Sequence, residues 1–306
     1  MGGRVSLLVT ALVLFCAGGA AGVRPHTPAE FLHRTIALIR ANSIDAAGVD
    51  WPRVEAEAVY LARGARADVG TLKALEYVIS ELHDRHTILL YPEHDIAWET
   101  EVPTVRTEHG VATLRLPGMG PDEAAARRYL DAGFAALAGV PSACGWIVDL
   151  RGNHGGSMFP MLTVLAPVLG DGPVGSFVTS DGGRTAWEIH DGQFWLDGRS
   201  MSARPNPVEL QRRPIAVLTS GDTVSSGEAT LVATRGLARS FGAPTAGFAT
   251  GNDVVDLGGG VTLLLTVARD VDRTGRVYGT TPIPPDQPAA DAEAAAKEWL
   301  RTRGCR

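Results

Sequence analysis

A hydroxyl becomes a nucleophile when the backbone holds it clear of the packing, and one stretch of this chain has the residues for that. Thr223-Val224-Ser225-Ser226-Gly227-Glu228 follows the apolar run Ile215-Ala216-Val217-Leu218 and opens a helix-like segment from Ala229 to Arg239. A strand, a tight turn and a helix present a serine with helix amides behind it, the arrangement used in acyl transfer. The same residues have a plain structural use, because serine before a helix with Glu228 three positions after Ser225 is a capping box. Acyl transfer also needs amide donors for the oxyanion. Asn153-His154-Gly155-Gly156 directly follows the apolar run Trp146 to Leu150, and Gly155 and Gly156 allow close backbone approach. The Ser226 amide, at a helix start, is the other candidate donor and gains from the helix dipole. Glu228 either orients a base or caps its own helix. Asp149 and Arg151 read as structural.

The elements that must position these residues follow from periodicity. Thr27-Pro28-Ala29-Glu30 is a capping box with proline at the first helical position, and Phe31, Leu32, Ile36 and Ile39 recur at helical spacing. Further helical patterns run from Asp50-Trp51-Pro52 to about Arg63 and from Thr71 through Leu82, so residues 27–84 read as a small helical bundle. The period then changes: Val111 to Leu116 alternates as a strand, Pro121 to Leu137 is helical, Trp146 to Leu150 is a buried strand, and Phe159 to Leu169 is helical. Residues 174–196 read as short strands joined by glycine turns. Strand 215–218, helix 226–239 and strand 261–266 complete an α/β core, and Ala289 to Ala296 reads as a closing helix.

The chain has 306 residues, 45% of them hydrophobic and 20% charged, enough for one large core with or without a satellite. A net charge of -6 with no basic run argues against a nucleic-acid partner. Met1-Gly2-Gly3-Arg4, an apolar run from Val5 to Phe15 and small residues through Gly22 form the pattern of a secretory signal, with an uncleaved anchor as the alternative. Export places Cys144 and Cys305 in an oxidising compartment, where they either bridge or remain a buried thiol and an exposed terminal one. Neither has metal-ligand spacing.

Four motifs stand in order: Asp84-Arg85-His86-Thr87, Asp149 to Gly156, Thr223 to Glu228, and Gly242-Ala243-Pro244-Thr245-Ala246-Gly247. With Ile283-Pro284-Pro285-Asp286 the set resembles the tail-specific (C-terminal-processing) serine peptidases, over roughly Thr71 to Asp286. The resemblance implies an α/β fold with a ClpP/crotonase-like ββα superhelix core and an N-terminal helical bundle. Its domains would be a signal peptide at 1–22, the bundle or cap at 23–86 and the catalytic core at 87–306. It implies Ser225, three positions before the glutamate, as the nucleophile in preference to Thr223 or Ser226. In Ser/Lys members the base is a lysine just after the Gly-x-x-Thr-x-Gly element, where this chain has Phe248; its two lysines, Lys73 and Lys297, fall in terminal helices. The Ser/His branch, which includes tricorn cores and the nisin-resistance protease, places its histidine in the element matched by Asp84 to Thr87. His86 is the base so implied, rather than His83 or His154, and imidazole titrates near neutrality as the task requires.

No metal or organic cofactor is implied, and the expected substrate is a peptide or unfolded protein. The residues between Thr87 and Val111 leave no room for a PDZ module. A ligand-binding member of the same fold, or an esterase using the same dyad, are the alternatives.

Overall fold

The computed structural model describes residues 27–92, 101–140 and 142–305. The expected signal segment at 1–22 lies outside the described residues. In chain order the helices are α1 (Pro28–Asn42), α2 (Trp51–Leu61), α3 (Leu72–Ser80), α4 (Glu123–Ala138), α5 (Met158–Leu169), α6 (Ser226–Thr234) and α7 (Ala292–Thr302). The first eight strands are β1 (Ile88–Leu90), β2 (Thr104–Glu108), β3 (Val111–Arg115), β4 (Gly145–Asp149), β5 (Gly172–Thr179), β6 (Arg184–His190), β7 (Gln193–Leu196) and β8 (Arg199–Ser200). The rest are β9 (Ile215–Thr219), β10 (Ala238–Gly242), β11 (Thr250–Gly258), β12 (Val261–Asp272) and β13 (Gln287–Pro288). The described residues form two compact units: 27–92 with 179–182 and 251–268, and 101–140, 142–178, 183–250 and 269–305.

The first unit is the expected helical segment with a β addition. At the start of α1, Thr27 Oγ1 accepts from the Glu30 amide and Glu30 Oε2 accepts from the Thr27 amide, so the capping box forms and satisfies two orphan donors. Phe31, Leu32, Ile36 and Ile39 of α1, Val54 and Ala58 of α2, and Leu75, Val78 and Ile79 of α3 are buried. Asp50 caps α2 by accepting from the Arg53 amide. β1 pairs antiparallel with residues 262–264 of β12.

The second unit holds a six-stranded sheet in the order β13-β10-β9-β4-β3-β2. Its pairs from β3 through β13 are parallel, and β2 adds antiparallel at the edge. Central β4 and β9 are buried along their whole length, as parallel strands covered on both faces must be. Helix α7 lays Ala292, Ala296 and Leu300 against Ile147, Ala216, Leu218 and Phe241 of the sheet. Cys144, just before β4, bonds to Cys305, just after α7, with their Cα atoms 5.3 Å apart, so the pair bridges. β5 through β8 form an antiparallel meander.

The mixed α/β class expected from the sequence is the class observed. Several boundaries differ: the expected strand 261–266 continues to Asp272 as β12, and two helices change more visibly. The helix after Ser225 stops at Thr234 rather than 239: Arg235 leaves helical geometry, Gly236 takes φ +82°, and Ala238–Gly242 becomes β10, inserted beside β9. The closing helix runs over Ala292–Thr302 rather than 289–296, because Asp291 caps it and the Ala289 amide is used by the Gly242 carbonyl.

Candidate active site

Ser225 sits where β9 turns into α6, with φ +51° and ψ -114°. A left-handed backbone at a residue other than glycine costs of order 1–2 kcal/mol and persists only where neighbours hold it. Thr223 supplies part of the hold: its buried hydroxyl donates to the Leu150 carbonyl at 2.9 Å and accepts from the Ser220 amide at 3.1 Å. The Val224 amide donates to the Asn153 carbonyl at 2.9 Å, tying the serine turn to the glycine loop after β4.

That loop is itself locked by Asn153, which is fully buried. Its Nδ2 donates to the Leu116 carbonyl at 2.9 Å, and its Oδ1 accepts from the Gly155 amide at 3.0 Å. The Gly155 amide, one of the two expected oxyanion donors with Gly156, is thus already engaged by Asn153. What Gly155 contributes is proximity. A Cβ at this position, where φ is +89°, would lie 2.9 Å from both the Ser225 Cβ and the Val224 oxygen. The Ser226 hydroxyl donates to the Gly156 carbonyl at 2.6 Å, which joins the two loops again and leaves the Ser226 amide as a separate group.

Glu228 is completely buried one helical turn after the serine. Its Oε2 accepts from the Ser225 amide at 3.1 Å and the Phe248 amide at 2.6 Å; its Oε1 accepts from the Gly247 amide at 3.0 Å and the Thr245 hydroxyl at 2.5 Å. A carboxylate has about four acceptor directions, and all are used. Glu228 thus gathers the serine turn and the 245–248 loop, and has no oxygen left over to orient a histidine. Burial pushes its carboxyl up from the ordinary range while these four donors pull the other way. The loop continues into the Ile283-Pro284-Pro285-Asp286 element: the Thr245 hydroxyl accepts from the Ile283 amide at 2.8 Å, and Asp286 accepts from the Ser240 amide and hydroxyl and from Arg235.

In the first unit, His86 follows α3 in a turn organised by buried Asp84. That carboxylate accepts from the His86 amide at 2.8 Å, the Thr87 amide at 3.0 Å and the Thr87 hydroxyl at 2.6 Å. Asn252 Nδ2 donates to the His86 carbonyl at 2.9 Å. Burial lowers the imidazole to about 4, with Asp84 opposing, so His86 is neutral at pH 7 and able to accept a proton. His83 and His154 are exposed. Lys73 is exposed on α3, Lys297 is paired with Glu108 and Glu293, and the Phe248 amide donates to Glu228. Arg151 makes a bidentate pair with Asp149 at 2.8 and 2.7 Å, a structural use for both. Among the described residues the His/carboxylate cluster at metal-ligating spacing is exposed Asp171, His190 and Asp191, outside the serine turn.

Asn153, Thr223, Thr245 and Asn252 hold these loops through side-chain hydrogen bonds. Their only sequence signal is position within the glycine, serine and Gly-x-x-Thr-x-Gly elements; Asn252 has none.

The model of peptidase family S41 matches residues 110–289, a span that contains the glycine loop, Ser225, Glu228 and the Asp286 element. The chain belongs to peptidase family S41. It is a serine-type peptidase. The nisin-resistance protein of Lactococcus lactis subsp. lactis is 28% identical over 260 residues, covering 83% of this chain and 81% of that protein. A lipoprotein from Streptococcus agalactiae has a TM-score of 0.81 at 21% identity, over 92% of this chain and 99% of that one. The photosystem II D1 C-terminal processing protease shares the fold with a TM-score of 0.58 at 14% identity, over 89% and 96% of the two chains. His86 precedes the matched span.

Proposed function

We propose that the chain hydrolyses peptide bonds through Ser225 as nucleophile and His86 as general base. The observation that carries the reading is the strained Ser225 turn, wedged against Gly155 and tied by its amide to Glu228. The imidazole takes the Ser225 hydroxyl proton as Oγ adds to the carbonyl carbon. The Gly156 and Ser226 amides stabilise the oxyanion. Collapse breaks the C–N bond, the amine leaves with that proton, and a water deprotonated by the same imidazole cleaves the ester, the imidazole returning the proton to Ser225 Oγ as the acid leaves. Histidine is favoured as base because both lysines are accounted for elsewhere.

The substrate is an exported peptide or unfolded protein segment, and the chain works in the cell envelope or outside the cell. The signal-like N-terminus, the Cys144–Cys305 bridge, and similarity to a nisin-resistance protein and to a lipoprotein support that location. No helix among the described residues is long and apolar enough to cross a membrane. Within this reading residues 23–86 form an N-terminal helical domain and 87–306 the catalytic core.

Labelling with a fluorophosphonate probe tests it, in wild type, Ser225→Ala and His86→Ala. Wild type labels at Ser225, Ser225→Ala does not, and His86→Ala slows by about 10²–10⁴-fold. Labelling that survives Ser225→Ala overturns the nucleophile; hydrolysis of small esters with no peptide turnover favours the esterase alternative.

A further inference from the structure

Asp270, on β12, is a second carboxyl close to the loop that Glu228 holds, and the mechanism above gives it no task. It is fully buried, and neither side-chain oxygen has a hydrogen-bond partner. Its backbone is firmly placed: the Asp270 amide donates to the Ala249 carbonyl at 3.2 Å, and the Tyr278 amide donates to the Asp270 carbonyl at 2.8 Å. Ala249 directly follows Phe248, whose amide is one of the four donors to Glu228. The two carboxyls are thus joined through one short loop but treated in opposite ways, Glu228 receiving four donors and Asp270 none.

Glu228 bears on Asp270 from α6. The 247–249 loop has no titratable side chain, and β5, which approaches β12 where Gly175 packs on the Val271 carbonyl, has none over residues 172–178. From the 277–279 segment the one titratable side chain is Tyr278, whose hydroxyl donates to Asp272 at 2.7 Å. Burial in such surroundings favours the protonated acid, and a nearby negative charge favours it further. A second negative charge is disfavoured there, and the four donors favour the charged form of Glu228 over that of Asp270.

We propose that Asp270 is a positioning residue for Ser225, kept as the neutral acid so that Glu228 alone carries the charge that gathers the Ser225 amide and the 245–248 loop. Ionising Asp270 sets two negative charges against each other, releases the amides and disables the serine turn at alkaline pH. The inference rests on Ser225 as the nucleophile, so Ser225→Ala is run alongside to separate a failure of that assignment from a failure of this one.

The rate of fluorophosphonate labelling is measured from neutral to alkaline pH for wild type and Asp270→Asn, with the probe's own hydrolysis subtracted. Asparagine is permanently neutral and has the shape of the protonated acid, so Asp270→Asn keeps neutral-pH labelling within about threefold. Wild type loses labelling by about tenfold per pH unit above its alkaline midpoint, and Asp270→Asn does not. The infrared difference spectrum of wild type against Asp270→Asn at neutral pH contains the C=O stretch of a protonated carboxyl. If the variant does not fold, the same band is sought in wild type carrying isotope-labelled aspartate, where it must shift with the label. Absence of the band at neutral pH, or the same alkaline loss in Asp270→Asn as in wild type, overturns the proposal.

Discussion

Replacing Gly155 by alanine separates backbone strain from the wedge against Ser225, because Gly152, three residues earlier, carries the first without the second. Both glycines have positive φ, +89° at Gly155 and +72° at Gly152. An L residue forced into that region costs roughly 1–2 kcal/mol, so both variants lose about that much stability. A methyl at Gly152 meets nothing within 4 Å. At Gly155 it lies 2.9 Å from the Ser225 Cβ and the Val224 oxygen and 3.3 Å from the Ser226 nitrogen. Carbon atoms rest at about 3.5–4.0 Å, so the serine turn must retreat by roughly half an ångström to one ångström. Misplacement of that order costs about 10²-fold in rate. Thermal unfolding and the second-order rate of fluorophosphonate labelling are measured on both. The expected result is a similar loss of stability in the two, with a labelling loss of about 10²-fold confined to Gly155→Ala. Wild-type labelling of Gly155→Ala, or an equal loss in Gly152→Ala, refutes the argument that Gly155 matters through its closeness to Ser225.

Glu228→Ala leaves three amides and a hydroxyl without their acceptor, at roughly 1–3 kcal/mol for each that stays buried and unpaired, so it lowers the melting temperature strongly and abolishes labelling. Ser226→Ala loses only the hydroxyl bond to the Gly156 carbonyl and keeps the amide, so labelling falls by less than about tenfold. The His86 imidazole is lowered to about 4 in the folded chain, so between about pH 4 and the usual histidine range near 6.5 the unfolded chain binds more protons. Its contribution to stability is therefore lost as pH falls through that window; in His86→Gln this part of the pH dependence of thermal unfolding disappears, and wild-type labelling persists below pH 6 before falling toward 4. Removing the Cys144–Cys305 bridge by Cys305→Ala costs about 2–5 kcal/mol in denaturant unfolding and leaves the labelling rate of the still-folded protein unchanged.

Local patterns were legible in the sequence because their causes are local. The capping box at Thr27 and Glu30, proline at the start of α1, the helical spacing of Phe31, Leu32, Ile36 and Ile39, and the unbroken apolar runs of β4 and β9 each depend on neighbours a few residues away. The serine turn was readable for the same reason, as a strand, a polar turn and a helix. β10 was not readable: Ala238 to Gly242 has no alternation of its own and becomes a strand only because β9 and β13 flank it. Nor could sequence say which glycine amide is available, since the Asn153 side chain decides that by occupying Gly155. The role of Glu228 needed contacts 17 to 20 residues away, and the unpaired state of Asp270 needed knowledge of everything around it. Whether Cys144 and Cys305 meet, across 161 residues, depended on α7 packing along the central sheet. The sequence by itself determined which residues can do acyl-transfer chemistry and which short elements carry them, because residue type and period are properties of a segment. Only the tertiary structure decided how donors and acceptors are shared among those segments, because each buried polar group must find its partner in space wherever that partner lies along the chain.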